Sequence, residues 1–175
     1  MKITALEEYG MRCLLQLARS DDPFGLTIQQ IADAENMSFS YAAKLLRLLR
    51  LGGLITSCRN PRLGGGYVLA RPATEVRLGE VIRILSEPLF EESAYCERHA
   101  SPDAGGVCVH NDGCTLRVIW QTLEHGIRRF LDGVTLADLL QGREHIAERL
   151  HAALQANAAD PRSDLLTLGL AVRDG

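Results

Sequence analysis

The fold is decided by residues 27–54, which read TIQQIADAENMSFSYAAKLLRLLRLGGL. Thr27 and Gln30 have the spacing of a capping box, so a short helix is expected to begin there. Ser38 follows a tight turn and supplies a second N-cap. A longer helix is therefore predicted from Ser38 or the next residue to Leu51, where two glycines stop it.

This longer helix is predicted to be amphipathic. Its apolar face comprises Ala42, Leu45, Leu46 and Leu49, and its polar, basic face comprises Ser40, Lys44, Arg47 and Arg50. Two helices joined by a tight turn, the second with a basic outer face, are typical of a helix-turn-helix.

The flanking segments complete a known architecture. A helix is predicted over residues 3–20, two β-prone runs over 54–58 and 67–70 enclose a basic, glycine-rich turn, and a helix follows over 78–85. This order predicts a mainly α fold, a winged helix-turn-helix with a small β-hairpin wing.

The second half of the chain begins with an irregular loop and continues with a long helix from residue 115 to 131. The apolar stripe of that helix comprises Leu116, Ile119, Trp120, Leu123, Ile127 and Phe130. The simplest partner for this stripe is the same helix of a second subunit, in a two-fold homodimer. We therefore expect four segments: a DNA-binding domain (1–85), a cysteine-bearing loop (86–114), a dimerisation segment (115–140) and a C-terminal extension (141–175).

Charge is sorted along the chain. The net charge of −3 conceals +3 on residues 1–85 and −6 on the remainder, and residues 36–74 hold six basic side chains and no acidic one. A solvated basic face is one interpretation; a surface for a polyanion is the other. On the second interpretation, the four basic side chains mostly contact phosphates. The residues of the helix and wing that then bind DNA are Ser38, Ser40, Tyr41, Lys44, Arg47, Arg59 and Arg62.

Other classes of function receive little support. The five histidines form no recognisable catalytic motif with a serine or cysteine nucleophile, so an enzyme is not expected. The apolar runs are too short to cross a membrane, and the first ten residues do not resemble a secretory signal, so a cytoplasmic protein is expected.

Several motifs together carry a family resemblance. They are Glu8-Tyr9-Gly10-Met11-Arg12, Met37-Ser38-Phe39-Ser40-Tyr41, Gly64-Gly65-Gly66-Tyr67-Val68-Leu69-Ala70-Arg71-Pro72 and Thr135-Leu136-Ala137-Asp138-Leu139. The chain resembles, over about residues 1–139, the bacterial regulators typified by IscR, NsrR and CymR, a family often called Rrf-two. The resemblance implies a dimeric, winged-helix, mostly repressive transcriptional regulator. The family usually has Arg-Gly before the glycines of the wing, and here either Arg59 or Arg62 takes that arginine's role.

The five cysteines fall into two groups. Cys13 and Cys58 lie in predicted helix and strand and are read as small buried hydrophobes. Cys96, Cys108 and Cys114 share one loop of 19 residues, and an odd cysteine count in a cytoplasmic protein argues against a disulfide framework. Thiolates are the ligands that iron–sulfur clusters and zinc prefer, so the loop is a candidate metal site.

The family resemblance makes this site more specific. Cluster-bearing relatives have three cysteines in this loop, usually with five residues between neighbours. Cys108 and Cys114 match that spacing, whereas eleven residues lie between Cys96 and Cys108. The resemblance implies an iron–sulfur cluster, [2Fe-2S] or [4Fe-4S], that senses redox state, nitric oxide or cluster status. It also implies Glu8 of the other subunit as the fourth ligand. His99 or His110 is the alternative, either to Cys96 as the residue that completes the set or to Glu8 as the fourth ligand. A structural zinc site, or no metal and control by a protein partner, are the alternative functions.

Overall fold

The computed structural model describes residues 3–59, 64–86, 108 and 114–159. The helices are α1 (Ala5–Arg19), α2 (Ile28–Ala34), α3 (Phe39–Leu51), α4 (Leu78–Leu85), α5 (Thr115–Asp132), α6 (Leu136–Leu140) and α7 (Arg143–Ala159), and the strands are β1 (Ile55–Cys58) and β2 (Gly66–Leu69). A short 3-10 helix, Ala73–Glu75, precedes α4. The predicted fold class, mainly α with a winged helix-turn-helix, is confirmed, and the chain contains the predicted long helix.

The two helices of the helix-turn-helix begin where their caps predict. The Thr27 hydroxyl accepts a hydrogen bond from the Gln30 amide at 3.2 Å, and the Gln30 side chain accepts from the Thr27 amide at 2.8 Å. The Ser38 hydroxyl accepts from the Tyr41 amide at 3.2 Å. Both helices therefore satisfy part of their first turn with side chains that are close in sequence, which is why the sequence predicts these starts well.

The core lies where α1, α2 and α3 meet the first wing strand. α3 buries the four apolar side chains predicted for its inner face, and α1 buries Cys13, Leu14 and Leu17. Ile31 of α2 and Leu54 before β1 are also fully buried. This apolar packing leaves the opposite face of α3 exposed.

The wing is an antiparallel pair in which Ile55 lies opposite Leu69 and Cys58 opposite Gly66. Leu26 adds an isolated bridge on the other side of β2, since it exchanges two backbone hydrogen bonds with Tyr67, of 3.1 and 2.8 Å. The wing is thus fixed to the segment that precedes α2, a pairing the sequence did not predict.

Backbone hydrogen bonds join the segment that leads into α4 to the segment that follows α5. The Leu78 amide donates to the Val134 carbonyl at 2.9 Å, and the Leu136 amide donates to the Val76 carbonyl at 2.8 Å. Arg83 adds an ion pair of 3.0 Å with Asp132. The C-terminal end of the long helix is therefore bonded to the winged-helix domain.

The chain separates into two compact units, Met1–Ala137 and Asp138–Gly175. Within the second unit, the Asp138 carboxylate lies 3.2 Å from the His145 ring and 3.0 Å from the Arg149 guanidinium, which ties the start of this unit to α7. Within the described residues, no helix is both long and apolar enough to span a bilayer.

Candidate nucleic-acid interface and cysteine loop

The exposed face of α3 carries the polar and basic residues that the sequence predicts there. Ser40, Lys44 and Arg47 are exposed and are spaced so that they share one face of the helix. Arg50 is exposed at the edge of this face. The face presents positive charge with no acidic neighbour on the same helix, as an anionic ligand would require.

The N-terminus of α3 adds hydrogen-bonding groups to this face. Ser38 and Ser40 are both exposed, and their hydroxyl oxygens lie 3.2 Å apart. Free amides at a helix N-terminus and its positive dipole end favour negative ligands. The hydroxyls and amides together form a polar end to the basic face of α3.

Tyr41 is held by α1. Its half-buried ring meets the ring of Tyr9 edge to face, with centroids 5.9 Å apart and planes at 82°. The Arg12 guanidinium lies 5.3 Å from the Tyr9 centroid, in cation–π geometry. The sequence did not predict this cluster of Tyr9, Arg12 and Tyr41, because no local pattern reports a contact between residues so distant in the chain.

Glu8 lies beside this cluster on the outer surface of α1. Its carboxylate pairs with Arg12 at 2.7 Å, and Arg12 also approaches Glu35 at 3.7 Å. The hydrogen bond and the charge of Glu8 raise the pKa of Arg12. The Glu8 side chain is half exposed and points away from its own core, as its position on the helical wheel predicts.

The wing places Arg59 at the surface, directly after β1. Arg62, the second candidate wing arginine, lies outside the described residues, as do Cys96, His99 and His110. Their predicted roles remain predictions.

Cys13 and Cys58 have the environments of structural thiols. Cys13 is completely buried, and burial, with a smaller contribution from the Glu35 charge, raises its pKa to about 12. Cys58 is half-buried, and its thiol donates to the Phe24 carbonyl at 2.6 Å. The interpretation of Cys13 as a small buried hydrophobe is confirmed, whereas Cys58 is only partly covered.

Cys108 and Cys114 are both half-buried free thiols. Cys114 is the N-cap residue of α5, where the helix dipole favours a negative group. Of the parts of the chain that the structure describes, none brings three His, Cys, Asp or Glu side chains together as a metal-binding group. The two thiols are soft donors at half-buried positions, so their chemistry fits the thiolate-bound metal site that the sequence predicts.

The fold and this basic surface define a winged helix-turn-helix protein of the DNA-binding type. The family model described as "Rrf2: Iron-dependent Transcriptional regulator" matches residues 3–142. The chain therefore belongs to the Rrf2 family, and the resemblance noted from its motifs is confirmed.

Similar proteins agree with this assignment. The regulator IscR of Klebsiella pneumoniae (strain 342) is 28% identical over 168 residues, which cover 91% of this chain and 97% of that protein. The solved structure of T. potens IscR is 26% identical and has a TM-score of 0.61, covering 81% of this chain and 87% of that one. CymR, the global cysteine regulator of B. subtilis, is 28% identical with a TM-score of 0.61, covering 79% and 95%. The chain is thus similar to transcriptional regulators, and the expectation that it is not an enzyme is confirmed.

Proposed function

We propose that this protein is a cytoplasmic, homodimeric repressor whose binding to a DNA operator is controlled by an iron–sulfur cluster. One observation carries the DNA-binding part: the exposed face of α3 is basic and free of acidic residues, in a chain of the Rrf2 family. Its residues have the positions and chemistry that reading a major groove requires.

The contacts follow from the chemistry of each side chain. Lys44, Arg47 and Arg59 bind phosphates, because their charges lie at exposed positions. Arg62 is the alternative wing arginine for this role. Ser38, Ser40 and Tyr41 lie at the N-terminal end of α3, which in this class of protein approaches base edges. Tyr9 holds the Tyr41 ring, so Tyr41 acts from a restricted position.

The homodimer rests on the exposed surface of α5. Leu116, Ile119, Trp120 and Leu123 of the predicted stripe are 40–56% exposed, and none of the residues of this helix is buried. A contiguous exposed apolar face favours burial against a copy of itself. Two-fold symmetry would present two copies of α3 to half-sites about one turn of DNA apart.

The cysteine set fits a thiolate-bound cluster. Cys108 and Cys114 are reachable donors and Cys96 completes the set in sequence, whereas Cys13 is sealed in the core. When bound, an iron–sulfur cluster supplies a redox-active, oxidant-sensitive group. Because Cys114 is the N-cap residue of α5, a movement of its thiolate would act on the start of the helix that carries the exposed stripe.

Glu8 is the proposed fourth ligand, donated to the partner subunit's cysteine set. In the chain as described, Arg12 neutralises this carboxylate at 2.7 Å, so ligation requires Glu8 to leave that ion pair. His99 or His110 is the alternative donor from within the loop. We place Glu8 first because it is exposed and points away from its own core.

The DNA-binding proposal is tested by selecting an operator from a random duplex pool and measuring its affinity at several salt concentrations. Lys44→Ala and Arg47→Ala should each weaken binding to all sequences and reduce the salt slope by about one, because each removes a phosphate contact. Arg143→Ala is the matched control, since it removes an exposed arginine outside the winged-helix domain. Unchanged affinity and slope in both α3 variants would refute the proposed recognition helix.

A further inference from the structure

Phe39 is an exposed aromatic residue at the polar N-terminal end of α3. It is the first residue of α3, and 52% of its surface is accessible. Its neighbours on both sides, Ser38 and Ser40, are exposed hydroxyl residues. An aromatic side chain with about half of its surface in water forgoes about half of its burial free energy, so its position calls for a reason.

The fold does not supply that reason. The cap of α3 is made by Ser38, and the ring contacts among the described residues involve Tyr9, Arg12 and Tyr41 and not Phe39. The inner face of α3 is complete without it, because Ala42, Leu45, Leu46 and Leu49 are all fully buried. Phe39 is therefore available to a ligand of the exposed face.

We propose that Phe39 is a specificity-determining residue that packs against the C5-methyl group of a thymine. The major-groove edges of the bases display hydrogen-bonding groups and one apolar group, the thymine methyl. Residues at the N-terminal end of a recognition helix reach base edges, and Phe39 is the large apolar residue at that end of α3. The inference rests on the proposed placement of α3 in the major groove.

Leu51 offers a matched control on the same helix. It is 68% exposed and is the last residue of α3, about 18 Å along the helix axis from Phe39 at 1.5 Å per residue. An exposed apolar residue so far from the N-terminal end does not reach the same base. Replacing Leu51 thus controls for the general loss of apolar surface from α3.

The test uses the operator selected by the wild-type protein, with each thymine replaced singly by deoxyuridine, which removes only the methyl group. We expect at least one replacement to weaken wild-type binding about fourfold, because burying one methyl-sized group strengthens binding by about that factor. Phe39→Ala should bind the thymine and uracil duplexes equally, whereas Leu51→Ala should keep the fourfold preference. Phe39→Leu should keep part of it, because a smaller apolar group still contacts the methyl.

Two results would overturn the inference. One is a wild-type protein indifferent to every thymine methyl group; the other is Phe39→Ala retaining the wild-type preference. Phe39 is not one of the buried core residues, so the Phe39→Ala variant should remain folded, which a thermal melt followed by circular dichroism checks. A wild-type protein that enriches no sequence from the pool would instead refute the proposed function, and this inference with it.

Discussion

The described cysteines differ in how far they are buried, and therefore in how reactive their thiols are. Cys13 is inaccessible in the core, whereas Cys58, Cys108 and Cys114 are half-buried. The helical spacing of Leu14 and Leu17 beside Cys13 was enough to predict its burial. Spacing along the chain could not predict how the loop cysteines are arranged in space, because irregular segments have no periodic pattern.

We expect Cys13 to resist alkylation in the folded protein. Its pKa of about 12 keeps the thiol protonated at pH 9, where an exposed cysteine is about half ionised. Iodoacetamide at pH 8 to 9, followed by peptide mass spectrometry, should label Cys58 well before Cys13, and should label both in denaturant. Equal native labelling rates would contradict the burial of Cys13.

The same pKa shift makes stability depend on pH. The folded pKa of Cys13 lies above its ordinary value of 9.0, so the unfolded chain loses this proton first. The contribution of the buried thiol is complete below about pH 9 and is lost as the pH rises towards 12.

At the scale of elements, the sequence predicted the helix starts and ends that residues close together in the chain determine. The caps at Thr27 and Ser38 and the glycines after Leu51 are near-neighbour features, so α2 and α3 begin and end where expected. The bridge from Leu26 to Tyr67 joins residues about 40 positions apart, and the Tyr9 and Tyr41 rings about 30 apart. Neither contact leaves a periodic trace in the sequence.

Gly25 permits the bridge beside the wing, and its replacement tests that role. Its φ is +65°, and a Cβ there would lie 1.9 Å from the Tyr67 carbonyl oxygen. Gly25→Ala should destabilise the fold by about 2–4 kcal/mol, from backbone strain and a clash with main chain. Gly53→Ala is the control, because its φ of +73° is similar but open space surrounds it, so about 1 kcal/mol is expected. Equal losses in chemical denaturation would contradict the close approach.

At the scale of the whole molecule, the chain presents two exposed surfaces of different chemistry. The basic face of α3 is suited to DNA, and the stripe on α5 is suited to a second subunit. The sequence predicted both, because each is a periodic pattern on one helix. The roles of Cys96, His99 and His110, which lie outside the described residues, by contrast stay predictions.

Disrupting the stripe should separate the subunits. The double substitution Ile119→Glu and Leu123→Glu would place two carboxylates in the proposed interface, so the protein should sediment as a monomer. The variant should also lose operator affinity, because each winged-helix domain must then bind its half-site alone. Thr122→Glu adds one carboxylate at an exposed position about a third of a turn from the centre of the stripe, and this variant should remain dimeric. A native protein that sediments as a monomer at micromolar concentration would refute the dimer.

The central claim is that thiolates of the cysteine loop hold an iron–sulfur cluster that controls operator binding. The cysteine variants separate this set from the other thiols. Cys96→Ala, Cys108→Ala and Cys114→Ala should each abolish or strongly reduce cluster content, because each removes a bond and a compensating negative charge. Cys58→Ala is the control and should retain the cluster, because Cys58 lies in the wing and its thiol is hydrogen-bonded to the Phe24 carbonyl.

The most direct measurement is iron and acid-labile sulfide analysis of the anaerobically purified protein, with operator affinity determined before and after the iron is removed. We predict stoichiometric iron and sulfide with visible absorption, and a change in operator affinity when they are lost. Zinc without iron or sulfide, or the same operator affinity in both forms, would contradict the claim.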